Sequence, residues 1–353
     1  MDYENRPDSD ALDALDAVVN TPPARRKKNF FEKNIIPLKG DSRQTKRRKA
    51  VFDSCLVIIF VCLVILAWVV VIDPYQSKLL FENLKSYTEA ETTAVDIPTE
   101  APPPGQTAPP TTTTPDIYVV ERKSHPALKA MNSDYIGWLT APGGNIDLPI
   151  VQTADNGYYL KRDFKRKPSK YGNPFVDYRV HFSPMSTNVI IYGHHMSNGT
   201  IFTYLTRYKQ ADVVRRNPII TLELPGGTTH QYKIVSVLAI NGRPQDDNGY
   251  VFAANTPEFR SQSHFDSYID QIRQRSYVTT DVDVQYGDKL ISLQTCIYDF
   301  DYEFLYVIAR MVRPGEGTSV GSVKANPSPR HPQALYDKLK QNNPYRDAAL
   351  WYP

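Results

Sequence analysis

The chain has 353 residues, 41% of them hydrophobic, and its 41 Lys or Arg against 38 Asp or Glu leave a net charge of +3. This is long enough for two domains, but hydrophobic content is ordinary and the averaged charge singles out no partner class. Only one of the three cysteines, Cys296, lies beyond residue 73, so an internal disulfide is excluded for that whole part of the chain.

The first fifty residues are polar and charged and read as a disordered tail without a core. Eleven Lys or Arg against two acids fall between Arg25 and Lys49. That basic run abuts an apolar stretch and its only aromatics, Phe30 and Phe31, stand side by side and are not interleaved with the charges, so it reads as a topology signal and not as a nucleic-acid patch; no nucleic-acid partner is expected. LVIIFVCLVILAWVVVI, residues 56–72, then carries no charge over seventeen positions. With its flank from Val51 it is long enough to cross a hydrocarbon core of ~30 Å. A cleaved signal peptide fits less well, because the run begins fifty residues in and no small-residue cleavage site follows at Asp73-Pro74-Tyr75. A transmembrane helix over 51–72 is expected, with residues 1–50 cytoplasmic by the positive-inside rule and everything beyond outside the cell.

Residues 73–116 read as an extracytoplasmic stalk. A weak helical pattern (Leu79, Leu80, Leu84, Tyr87) gives way from residue 99 to TEAPPPGQTAPPTTTTPD, which has no apolar period and stays extended. A folded domain over 117–313 follows, rich in short β runs: 146–152, 188–194, 219–224, 232–240, 289–295 and 305–312. In SQSHFDSYIDQIRQRS, Phe265, Tyr268, Ile269 and Ile272 share one helical face behind a Ser start signal. A second helix is expected over HPALKAMNSDYIGWL, residues 125–139. The fold class is mainly β, a barrel or sandwich with a few helices, preceded by the transmembrane helix. Residues 314–353 read as a polar tail with a short helix near 333–341.

A cysteine attacks as its thiolate, so a working Cys296 needs a base or a positive neighbour. Two of the seven histidines stand side by side in YGHHM, residues 192–196, at the end of an apolar strand. Alternation along a strand turns His194 and His195 to opposite faces, so at most one meets Cys296. Zinc sites want closely spaced pairs such as C-x-x-C, and none is present. No metal and no cofactor are expected; Asp246-Asp247 reads as solvated turn chemistry. The papain and caspase cysteine boxes are absent as well.

SLQTC, residues 292–296, resembles the T-L-x-T-C signature of sortases, and YGHHM resembles their strand-end G-H motif. NSDYIGWL, PGGNIDLPIVQ, ADNGYYLKRDF, GNPFVDYR and YGHHMSNGTIF follow in the order of class B sortases, over roughly residues 125–312. The resemblance implies a sortase β-barrel and a membrane-anchored cysteine transpeptidase of a Gram-positive surface. Its partners would be secreted proteins bearing a C-terminal sorting signal, and a peptidoglycan-precursor or pilin amine as acceptor. Cys296 would be the nucleophile that carries the acyl thioester and His194 the proton donor and acceptor, with His195 a bystander. Thr295 matches the threonine beside the family's nucleophile, or simply fills the strand. The family's catalytic arginine aligns with Phe304. Arg310 falls where a further Lys or Arg is common, and it reaches the site only if the register shifts. Arg243, Arg273 and Arg313 are the other cations that could enter. A sortase-fold protein that binds sorting peptides with little or no turnover is the alternative reading.

Overall fold

The computed structural model describes residues 30, 33, 35–36, 38–94 and 117–353. The greater part of the expected tail (1–50) and of the Pro/Thr-rich stalk lies outside these residues. The chain divides into two units, Met1–Asp73 and Pro74–Pro353.

In the first unit, α1 (Arg43–Ala67) begins at Ser42, whose hydroxyl accepts from the Thr45 N–H at 3.2 Å and so satisfies one orphan donor of the first turn. It runs into a π-helical turn over Trp68–Ile72. This is the one helix among the described residues long and apolar enough to cross a membrane, and its apolar stretch is wholly exposed. Lys49 is tied back at its start, to the Ile36 carbonyl and to Asp41.

In the second unit, α2 (Asp73–Lys85) buries Phe81 and Leu84. β1 (Thr88–Ala94) and β2 (Ile117–Lys123) pair antiparallel, Thr88 opposite Lys123. The helix expected over 125–139 is shorter: α3 covers His125–Met131 and stops. Asn132 turns to extended backbone and its side chain accepts from the Asp134 N–H at 2.9 Å. This Asx turn launches β3 (Tyr135–Ala141), in which Trp138 and Leu139 are fully buried. Both faces of β3 are covered, which erased the alternation that would have marked it as a strand.

β4 (Ile146–Val151), β5 (Phe175–Val176), β6 (Asn188–Tyr192), β7 (Ile219–Leu224), β8 (Thr228–Asn241), β10 (Leu290–Ile297) and β11 (Glu303–Met311) join β3 in a closed barrel. Its order is β10-β11-β8-β7-β3-β4-β5-β6, and closure leaves no sheet edge to template aggregation. Six of these strands are the six β runs read from the sequence. Between β6 and β7 lies α4 (Ala211–Arg216); between β8 and β10 lie α5 (Gln262–Arg275) and β9 (Val278–Thr280). α5 starts at Ser261, whose side chain accepts from His264 N–H, and it buries the four apolar residues of its face.

Residues 314–353 pack onto the barrel. β12 (Val323–Ala325) pairs with β9, α6 (Gln333–Leu339) buries Leu335 and Tyr336, and Trp351 is buried against Phe252 and Tyr268.

Candidate active site

β6 and β10 are parallel neighbours, from Leu290 opposite Asn188 to Gln294 opposite Tyr192. Parallel strands bring both C-terminal ends to the same rim, so residues about a hundred positions apart arrive together. The ladder continues past Tyr192: the Gly193 N–H donates to the Gln294 carbonyl at 3.0 Å, and the Thr295 hydroxyl to the Gly193 carbonyl at 2.8 Å. β6 ends at Tyr192 while β10 runs on to Ile297, so His194 and His195 leave the strand end at the level of Cys296. Gly193 is required at this bend, because a Cβ there would lie 2.7 Å from the Phe202 ring. The loop is pinned again at Ile201, a β-branched residue at φ 59°, with the Phe202 N–H donating to the His194 carbonyl.

The two imidazoles are held differently. His194 Nε2 meets the Leu160 carbonyl at 2.9 Å, and its Cδ2 edge rests on Gly172. His195 Nδ1 meets the Cys296 carbonyl at 3.0 Å, and its ring tilts over Tyr298 at 5.5 Å. A carbonyl only accepts, so each of those nitrogens carries the proton. In a neutral ring the acceptor nitrogen is then Nδ1 in His194 and Nε2 in His195.

Cys296 is half-buried, and burial pushes its thiol above the ordinary value with no charged group pulling it down. At rest it is therefore a thiol, and its proton has to leave as it attacks. Thr295 is 2% exposed and stitches β10 to β6 through its hydroxyl.

Phe304 stands directly across from Cys296 in the β10–β11 pair. Its ring lies over Gly242, where a Cβ would come within 2.5 Å of it. Arg310 is not at the site. β10 and β11 pair without a shift from Leu290–Arg310 to Ile297–Glu303, so the condition that would have brought Arg310 in is not met. Six residues at ~3.3 Å put it about 20 Å along the strand, where it is 1% exposed and paired with Glu316. Arg313 lies at that far end too, on Asp288 and Asp283, while Arg273 is bound to the Val282 carbonyl. Arg243 alone of these reaches the Cys296 rim. It follows Gly242, whose N–H donates to the Tyr302 carbonyl, stacks 4.4 Å over the Tyr302 ring and pairs with Asp246.

Below the Cys–His rim the same face carries a polar floor that the sequence did not single out. Tyr306 donates to Gln294 at 2.7 Å and Tyr192 donates to Asp177 at 2.7 Å. Burial raises the Asp177 carboxyl, but the bonds from Arg179 and Tyr192 outweigh it and hold the group below its usual range. GNPFVDYR contained the signal: an acid and an arginine two residues apart inside an apolar segment. Among the described residues no group of three or more His, Cys, Asp or Glu could hold a metal ion.

A closed barrel that delivers a cysteine and two histidines to one rim has the parts of a cysteine transpeptidase. No family model matches the chain. It is 34% identical over 176 residues to sortase B of Listeria monocytogenes, covering 50% of this chain and 68% of that protein. With sortase B of Staphylococcus aureus the identity is 25% over 194 residues, 54% of this chain and 76% of the relative. Among solved structures, sortase B from B. anthracis in complex with AAEK1 superposes with a TM-score of 0.52 at 23% identity, covering 69% of this chain and 99% of that one. The chain belongs to the sortase B family.

Proposed function

We propose that this sortase is a membrane-anchored transpeptidase in which Cys296 and His194 act as a dyad on a secreted protein's C-terminal sorting signal. The parallel pairing of β6 and β10 supports the reading, since it brings the end of β6, which His194 follows, to the rim that carries Cys296. Cys296 Sγ bonds to the carbonyl carbon of the scissile peptide while its proton passes to the acceptor Nδ1 of His194. His194 then protonates the leaving amine as the C–N bond breaks, and an acyl thioester remains on Cys296. A cell-wall or pilin amine attacks that thioester, gives its proton back to His194 and releases the thiol. The Leu160 carbonyl supports this role by fixing the proton-bearing nitrogen away from the reaction. The apolar helix α1, with eleven basic against two acidic residues between Arg25 and Lys49, supports an anchor with a cytoplasmic N terminus.

Phe304 opposite Cys296 favours a second reading, a peptide-binding sortase fold with little turnover, because no guanidinium stands across from the nucleophile. One experiment separates the two. The full chain in detergent is incubated with a library of C-terminal sorting peptides and an amine acceptor, and adducts are read by intact mass. A thioester on Cys296 that resolves onto the amine, lost in His194→Ala, is the expected outcome. Peptide binding without a thioester decides for the second reading. Loss with His195→Ala and not with His194→Ala overturns the dyad assignment.

A further inference from the structure

Glu303 is the buried acid at the site that the proposed chemistry leaves unused. It opens β11 directly opposite Ile297, so it points to the face away from Cys296 and Phe304, and it is 1% exposed. One carboxylate oxygen accepts from the Asp299 N–H at 2.9 Å, the other has no hydrogen-bond partner among the described residues, and the Phe300 N–H also acts on the group. The acid thus grips, from behind, the turn that immediately follows the nucleophile.

The same turn is gripped twice more. Lys209 pairs with the Asp299 carboxylate at 2.9 Å and sits over the Tyr277 ring. Lys338 of α6, in the C-terminal segment, donates to the Asp299 carbonyl. On its front side the turn presents Tyr298 to the His195 ring, and His195 is bonded to the Cys296 carbonyl. A continuous line of contacts therefore runs from Glu303 through residues 298–300 to the backbone of the nucleophile.

We infer that Glu303 is a positioning residue: its carboxylate sets the 298–300 turn, and through Tyr298 and His195 the placement of Cys296. This rests on Cys296 being the nucleophile. The groups that act on it are Asp299 on the turn, Lys209 between β6 and α4, and Tyr277 before β9; His331, ahead of α6, packs on Tyr277 with its ring 4.9 Å away. His331 is held neutral, burial pushing it down to about 4 with the Lys209 charge adding to the effect. Burial and then the Asp299 charge push the Glu303 carboxyl up to about 7, against Lys209 and the two N–H groups. The grip therefore changes charge in the neutral range, which gives the role a signature that a purely structural acid would lack.

The test uses the full chain reconstituted in nanodiscs, wild type against Glu303→Gln and Glu303→Ala. Iodoacetamide alkylation of Cys296 is followed across the neutral range by peptide-level mass spectrometry, which separates it from Cys55 and Cys62. Wild-type protein is expected to show, besides the thiol's own limb, an inflection near the Glu303 value of about 7. Glu303→Gln, which keeps the shape and removes the charge, loses that inflection. Thioester formation with a sorting peptide falls about tenfold in Glu303→Ala through kcat, with KM unchanged. Superimposable alkylation profiles for wild type and Glu303→Gln overturn the proposal even if thermal stability changes. Should no peptide ever acylate wild-type Cys296, the transpeptidase reading fails, while the alkylation profiles still decide the role of Glu303.

Discussion

The two ends of the β10–β11 pair are built from the same two strands and do opposite things with charge. At the Leu290 end, Arg310 donates to Glu316 at 2.8 Å and to the Asp283 carbonyl at 3.0 Å, and Lys233 adds a second cation on Glu316 at 2.6 Å. Arg310 first, and Lys233 after it, hold the Glu316 carboxyl far below the usual carboxylate range against the opposing pull of burial. At the other end, among the described residues, the thiol has no ion pair and Glu303 is buried with one oxygen unpartnered, while Phe304 faces the thiol. Saturated charge suits one end to a scaffold, and less fully paired polar groups suit the other to the proton transfers proposed above.

Breaking the active end comes first in size. Cys296→Ala removes the thioester altogether, read as the absence of any acyl adduct in the intact mass. His194→Ala is expected to lower transfer by about 10²–10⁴-fold, while Cys296 still reacts with a small alkylating agent. Breaking the scaffold end moves a different observable. Arg310→Ala removes Glu316's principal partner, leaving it Lys233, and is expected to lower Tm with transfer per folded molecule unchanged.

The pH dependence of stability sharpens the contrast, because the two acids have opposite signs. Glu316 is depressed in the folded state, so its contribution is present above the ordinary value of 4.5 and is lost as pH falls through the folded value. Glu303 is raised, so its contribution is present below 4.5 and is lost as pH rises through about 7. A shift of this size corresponds to roughly 3 kcal/mol, and denaturant titrations of Glu303→Gln are expected to lose that decline. The smallest effect tests whether the ends can be made alike. Phe304→Arg puts a guanidinium opposite Cys296 and is expected to raise kcat/KM about tenfold, short of the ~10²–10³ that a fully formed oxyanion donor supplies.

The barrel was legible wherever one local rule sufficed. Six strands were read from short β-rich runs, and α5 from Phe265, Tyr268, Ile269 and Ile272 recurring on one face above a Ser cap. β3 was read as helix because its seven residues are covered on both faces, so no period of two survives. The segment beyond Pro314 reads as a polar tail, since its anchors are single residues that reach back to distant parts of the chain: Glu316 to Lys233, Arg330 to Gln274 and Trp351 to Phe252.

The sequence by itself determined the apolar helix, the β-rich domain, the lone cysteine beyond residue 73 and the adjacent histidines, because each is a matter of composition or of spacing along the chain. Only the tertiary structure decided which residues share the cysteine's rim. The parallel β6–β10 pairing and the unshifted β10–β11 register are long-range hydrogen-bonding patterns; they bring the His194-His195 pair to the rim of Cys296, set Phe304 opposite it and carry Arg310 to the far end. Spacing along the chain does not encode which strands become neighbours, and that choice is made by the packing of the whole barrel.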